Sequence, residues 1–166
     1  MTRGGIAVAF GLVIMASSSP VFAQGAARED HSVVYELGWA GDWSHAEGWQ
    51  PRGGTLAFEI TPIEHWLELE IGATAIHTSG GTETEADLLF KKPWTLSRRV
   101  ELMAGIGPEL VHADGATFWG FSTVADIMVW PRRNVGVYVE PGYERTFPHA
   151  GARNGMAIAA GLLIGR

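Results

Sequence analysis

The sequence predicts an all-β protein, namely a signal peptide followed by one eight-stranded antiparallel up-and-down β-barrel in a membrane. Three observations lead to this prediction. The N-terminus has the pattern of an export signal, eight later segments alternate between apolar and other residues, and tryptophans gather near both ends of those segments. The chain has no cysteine, which excludes disulfides and thiol chemistry. Its formal net charge of −6 makes nucleic acid an unfavourable partner.

The export signal occupies the first residues of the chain. Arg3 supplies a positive charge, and residues 6–15 (IAVAFGLVIM) form an apolar run that is too short to cross a bilayer as a helix. Val21 and Ala23 then place small residues where a signal peptidase needs them. We therefore predict a signal peptide over residues 1–23, a flexible mature N-terminus over 24–30 and a membrane barrel over 31–166.

Period-two alternation marks eight strands, and turn signals separate them. The predicted strands are 31–40, 53–61, 66–77, 83–92, 100–112, 117–130, 135–147 and 155–165. Short connections that carry proline follow the even strands, and longer polar connections such as residues 41–52 follow the odd ones. This pattern is typical of outer-membrane barrels and predicts that both termini lie in the periplasm. Pro108 and Pro141 fall inside strands, where we expect β-bulges and a slip of the alternation.

The two faces of the predicted strands differ in chemistry. In the third strand, Leu69 and its apolar neighbours alternate with Glu68 and Glu70. No later segment is long enough to be a membrane helix, so we predict that the apolar face contacts lipid and that the acids face the lumen. Lys91 and Arg99 are the predicted inward cations, and the predicted inward acids are Glu36, Glu59, Glu68, Glu70, Glu85, Asp87, Glu101, Glu109, Asp126 and Glu140.

This excess of acids limits what the lumen can contain. Buried carboxylates are unfavourable unless they are hydrated, protonated or matched by cations. The sequence therefore leaves open a water-filled, partly protonated plug or a path for small cations. Tryptophans are also predicted to form two belts at the lipid headgroups, because they mark both ends of the strands; the alternative is that they belong to the core of a soluble barrel. The belt residues are Trp66, Trp94 and Trp130 at one end and Trp39 and Trp119 near the other.

Four segments carry a resemblance to a known class: TPIEHWLELE (61–70), DLLFKKPWTLS (87–97), GIGPELVH (105–112) and NVGVYVEPGY (134–143). With the eight-strand pattern, they make the chain resemble the small outer-membrane barrels of the OmpA transmembrane domain, OmpX and OmpW class. More narrowly, the segments resemble a group of uncharacterised proteobacterial outer-membrane proteins. The resemblance implies a Gram-negative outer membrane, contact with its lipid and lipopolysaccharide, and no cofactor. The chain departs from the class at Arg166, where an aromatic residue is usual.

One short motif suggests catalysis. His77 and Ser79, followed by Glu83, resemble the site of lipid A deacylases of the PagL type. In such a site histidine takes the serine proton and a carboxylate orients the histidine. The alternative is an interfacial histidine and a turn serine. The remaining histidines do not share a ligand spacing, so the sequence predicts no metal site.

Three functions remain open at this stage. The first is an integral outer-membrane protein that is structural or weakly transporting and has no catalytic activity. The second is a lipid A deacylase-like hydrolase that uses His77 and Ser79. The third is a soluble periplasmic lipocalin-like barrel that binds an apolar ligand, which requires the apolar side chains to point inward. The direction of the side chains in the third and fourth strands separates the third function from the first two.

Overall fold

The computed structural model describes residues 32–44, 48–78, 81–149 and 151–166. These residues form one closed antiparallel barrel with the strands in sequence order, which confirms the predicted fold class. The strands are β1 (Val33–Ser44), β2 (Gly48–Ile63), β3 (Leu67–Thr78), β4 (Gly81–Ser97), β5 (Val100–Ala113), β6 (Ala116–Arg132), β7 (Val135–Thr146) and β8 (Arg153–Gly165). The predicted signal peptide and mature N-terminus, residues 1–23 and 24–30, lie outside the described residues.

Pairing of β1 with β8 closes the barrel. The two strands stay in register from the Val34–Gly165 pair to the Ser44–Gly155 pair. Gly161 allows this close approach, because a Cβ atom there would lie 2.1 Å from the Leu37 carbonyl oxygen. Closure leaves no free sheet edge. Within the described residues, no helix has the length and apolar character needed to cross a membrane.

The barrel has two ends that we name separately. The turn end contains the connections after β2, β4 and β6, together with the start of β1 and the end of β8. The loop end contains the connections after β1, β3, β5 and β7. The prediction of longer connections at the loop end is largely wrong, since only residues 45–47, 79–80, 114–115 and 147–152 lie between strands there. The glycine-rich polar residues continue the backbone ladder, because strand pairing needs backbone groups and not apolar side chains.

The two internal prolines do not produce the predicted bulges. β4 and β5 keep one register on both sides of Pro108, and β6 and β7 keep one register on both sides of Pro141. Both prolines are exposed, and the inward–outward alternation passes through them unchanged. A proline removes one N–H donor, but its φ suits an extended strand. Register shifts occur instead where the pairing of β1 with β2 passes from Ala40 to Gly41 and, close to the turns, in the pairings of β2 with β3, β4 with β5 and β6 with β7.

The outer surface of the barrel is apolar, and charged residues are inside. Ile71, Ile106 and Leu162 are among the large side chains exposed on the outside. On β3 the inward residues Glu68 and Glu70 are buried. This division confirms the predicted faces and contradicts the lipocalin-like alternative, which required the apolar side chains to point inward.

Candidate functional site: the acidic lumen

The predicted inward acids all face the lumen. Glu85, Asp87 and Glu140 are partly buried and line its central cavity. The others are buried: Glu36, Glu59, Glu68, Glu70, Glu101, Glu109 and Asp126. They come from β1 to β7, so the alternation of the strands collects carboxylates from almost the whole circumference into one narrow space.

One lysine holds three of these acids together. Lys91 on β4 is 1% exposed, and its ammonium group forms ion pairs with Glu70, with Asp126 at 2.5 Å and with Glu140 at 2.7 Å. The three acids lie on β3, β6 and β7, so the contacts reach across the lumen. Charged hydrogen bonds of this kind are stronger than neutral ones. The group, named here the Lys91 network, therefore links distant strands through the barrel interior.

A glycine makes room for the stem of Lys91. Gly105 on β5 is the ladder partner of Lys91, and a Cβ atom at Gly105 would lie 2.7 Å from Lys91 Cγ. Gly72 has the same role for Asp87, because a Cβ atom there would lie 2.7 Å from both carboxylate oxygens. The glycines inside these strands thus leave space for charged side chains in the lumen.

Arg99 does not join Lys91 in the lumen, contrary to the sequence prediction. It lies in the turn between β4 and β5 and is exposed. The alternation ceases to apply there because β4 ends at Ser97. Among the side chains that the structure describes, Lys91 is the one buried lysine or arginine. The described interior therefore has one basic side chain beside its acids, where the sequence predicted two.

Bulky side chains fill the turn end of the lumen. They form one packed cluster, named here the plug: Val34, Met103, Met128, Trp130, Tyr138 and Leu163. On the other side of the Lys91 network lies a cavity of about 60 Å³, lined by acids and by small residues such as Thr74, Gly142 and Ala157. A polar cavity of this size can hold a small group of water molecules.

The position of Trp130 corrects one of the predicted aromatic belts. Trp39, Trp66, Trp94 and Trp119 are exposed on the outer surface, as a belt requires. Trp130 is only 8% exposed and belongs to the plug. It lies an even number of residues after Asp126 on β6, so it shares the inward face of that acid. The alternation of inward and outward residues along β6 predicts this inward position, whereas the position of Trp130 near the end of the strand does not.

A second group of acids lies toward the loop end. Glu85, Glu109 and Glu144, on β4, β5 and β7, place one carboxylate oxygen each within 4.8 Å of one another. Glu109 is 3% exposed, and neither of its carboxylate oxygens has a hydrogen-bond partner among the described residues. Glu144 is not among the acids predicted to face inward, although its spacing from Glu140 on β7 assigns it to the inward face.

Two residues of the predicted hydrolase site, His77 and Glu83, lie on opposite faces of the barrel wall. His77 is exposed, and its Nδ1 atom lies 3.0 Å from Thr82 Oγ1. Glu83 is the ladder partner of Ile76, which is buried and faces inward. Because ladder partners share a face, Glu83 points away from the face that carries His77. Ser79 lies outside the described residues.

Comparison with known proteins identifies solved structures that share this fold. No family model matches the chain, and no curated protein matches it. The crystal structure of Neisserial surface protein A aligns with a TM-score of 0.63 at 12% identity, over 81% of this chain and 96% of that one. The N-terminal β-barrel domain of Pseudomonas aeruginosa OprF aligns with a TM-score of 0.55 at 9% identity, over 81% and 98%. The chain has the eight-stranded fold of the small outer-membrane β-barrel proteins.

Proposed function

We propose that the chain is an integral outer-membrane protein with a structural role and that its barrel does not conduct ions. The observation that carries this proposal is the filled turn end of the lumen, where the plug adjoins the Lys91 network. An eight-stranded barrel is narrow enough for side chains to fill. To pass the packed plug, an ion would have to lose most of its water, which is strongly unfavourable.

The location in the membrane rests on the outer surface. Apolar side chains cover the outside of the barrel. Their exposure to water would be unfavourable, whereas the hydrocarbon of a lipid bilayer can surround them. The outward tryptophans Trp39, Trp66, Trp94 and Trp119 suit the headgroup region. We therefore propose outer-membrane lipid, with lipopolysaccharide in its outer leaflet, as the partner of this surface. The predicted signal peptide, residues 1–23, supplies the export route.

Fractionation of cells that express the full chain tests the location. We expect the protein in the outer-membrane fraction, with Gln24 as its first residue after cleavage of the signal peptide. Recovery from the soluble periplasm would contradict the proposal.

Conductance of the refolded chain in planar bilayers tests the closed lumen. We expect no channel currents from the parent protein. A double variant, Met103→Ala with Met128→Ala, thins the plug and leaves the outer surface unchanged, so it serves as the matched comparison. Steady currents from the parent protein would replace the structural role with the weakly transporting one. Currents from the double variant alone would identify the plug as the barrier.

A further inference from the structure

We propose that Glu85, Glu109 and Glu144 form a calcium-binding site in the loop-end half of the lumen. This inference goes beyond the structural role proposed above and does not depend on whether the barrel conducts. The three side chains come from different strands, so the closed barrel fixes their spacing before any ion binds.

The geometry suits one calcium ion. The three carboxylate oxygens lie within 4.8 Å of one another. Three oxygens at this separation have a common centre no more than about 2.8 Å from each of them, so a small movement of the side chains brings all three to the calcium–oxygen distance of about 2.3–2.6 Å. Calcium takes six to eight oxygen ligands, and water in the adjoining cavity can supply the rest. Magnesium is smaller and demands a near-ideal octahedron, so we expect it to bind less tightly.

Glu109 provides a second, independent indication of a ligand. It is 3% exposed, it lines the cavity, and neither carboxylate oxygen has a hydrogen-bond partner among the described residues. A buried carboxylate in this condition is costly to the folded state. Its ladder partner Asp87 also has one buried oxygen without a partner within the described part of the chain. A bound divalent cation would compensate both groups.

The other two described groups of acids that are close enough to share an ion are less suitable. Glu36, Glu59 and Glu70 are all buried, and Glu70 is already paired with Lys91. Glu70, Asp126 and Glu140 are also close enough to share an ion, but the Lys91 ammonium group already occupies the position between them. By contrast, Glu85 and Glu144 lie near the loop end and are only partly buried. An ion can therefore reach the proposed site from that end of the barrel.

Calcium titration of the refolded chain tests the site. We would use a neutral alkyl-glycoside detergent, which has no phosphate to bind calcium, and follow CaCl₂ binding by isothermal titration calorimetry. We expect one ion per barrel. Glu109→Gln and Glu144→Gln should each weaken binding about tenfold or more, because each removes a charged ligand. The matched control is Glu101→Gln, an equally buried acid at the turn end that belongs to none of the described groups of acids close enough to share an ion, and it should change the affinity less than about threefold.

Several results would overturn the site. The site is contradicted if the parent protein binds no calcium up to about 10 mM, a concentration above the range of even weak extracellular sites. It is also contradicted if both site variants keep the affinity of the parent protein, or if Glu101→Gln loses as much affinity as they do. If Glu109→Gln does not fold, the partly exposed Glu144 still gives the test. Calcium should raise the melting temperature of the parent protein more than that of Glu144→Gln, and an equal rise in both would also count against the site.

Discussion

The two halves of the lumen are built from the same eight strands but differ in what fills them. The turn-end half contains the plug and, next to it, the Lys91 network, in which one ammonium group faces three carboxylates. The loop-end half contains small residues, a cavity and the acids Glu85, Glu109 and Glu144. The comparison shows that side-chain volume, rather than strand number, decides whether a narrow lumen is filled. The halves also differ around their acids, since Lys91 pairs with three of them beside the plug, whereas the acids of the loop-end half lie beside a cavity.

Removal of the lysine should have the largest effect on stability. Lys91→Met keeps most of the side-chain volume but leaves Glu70, Asp126 and Glu140 without their cation. Loss of one partner of a buried ion pair costs about 3–5 kcal/mol of the free energy of unfolding. Urea unfolding of the refolded barrel measures this loss of stability.

The neighbouring lysine provides the control for that experiment. Lys92 is only partly buried and donates a hydrogen bond to the carbonyl oxygen of His65 at the turn end. Lys92→Met should therefore cost no more than about 1 kcal/mol. Equal losses in the two variants would mean that the Lys91 network does not stabilise the turn-end half.

Truncation of the plug should have the next largest effect. Met128 is fully buried in the plug, and Met128→Ala should cost about 2–5 kcal/mol through lost packing and the cavity left behind. Met156→Ala is the control, because Met156 is half exposed on the outer surface near the loop end. The same urea titration compares them. A loss for Met128→Ala no greater than that for the control would indicate a loosely packed turn-end half.

A smaller effect is expected where glycine makes room for the lysine stem. Gly105→Ala would place a Cβ atom 2.7 Å from Lys91 Cγ and 3.1 Å from Val124 Cγ2. Overpacking of this kind costs about 1–3 kcal/mol. Gly54→Ala is the control, since a Cβ atom there meets nothing within 4 Å. If both variants unfold at the same urea concentration, the Lys91 side chain can move aside without a loss of stability.

Much of this structure follows from alternation along the strands, and the exceptions have physical causes. The inward positions of Glu70, Glu109 and Asp126 were predictable, because the alternation continues even through the internal prolines. Arg99 was misplaced because a strand end depends on the turn as well as on the pattern. The Lys91 contacts and the meeting of Glu85 with Glu144 depend on strands far apart in the sequence. Only the closed barrel, with its fixed register, brings such residues together.

Thiol labelling tests most directly whether one half of the lumen is sealed and the other open. The chain has no cysteine, so a single introduced cysteine is the one thiol that the reagent can label. Ala157 lines the cavity and Leu163 belongs to the plug, and both lie on the inward face of β8. In lipid nanodiscs, Ala157→Cys should react with a small cationic methanethiosulfonate about tenfold faster or more than Leu163→Cys, because thiol reactivity follows access and favourable charge. Both should react equally in urea. Equal rates in the folded barrel would contradict the division of the lumen into a sealed half and an open half.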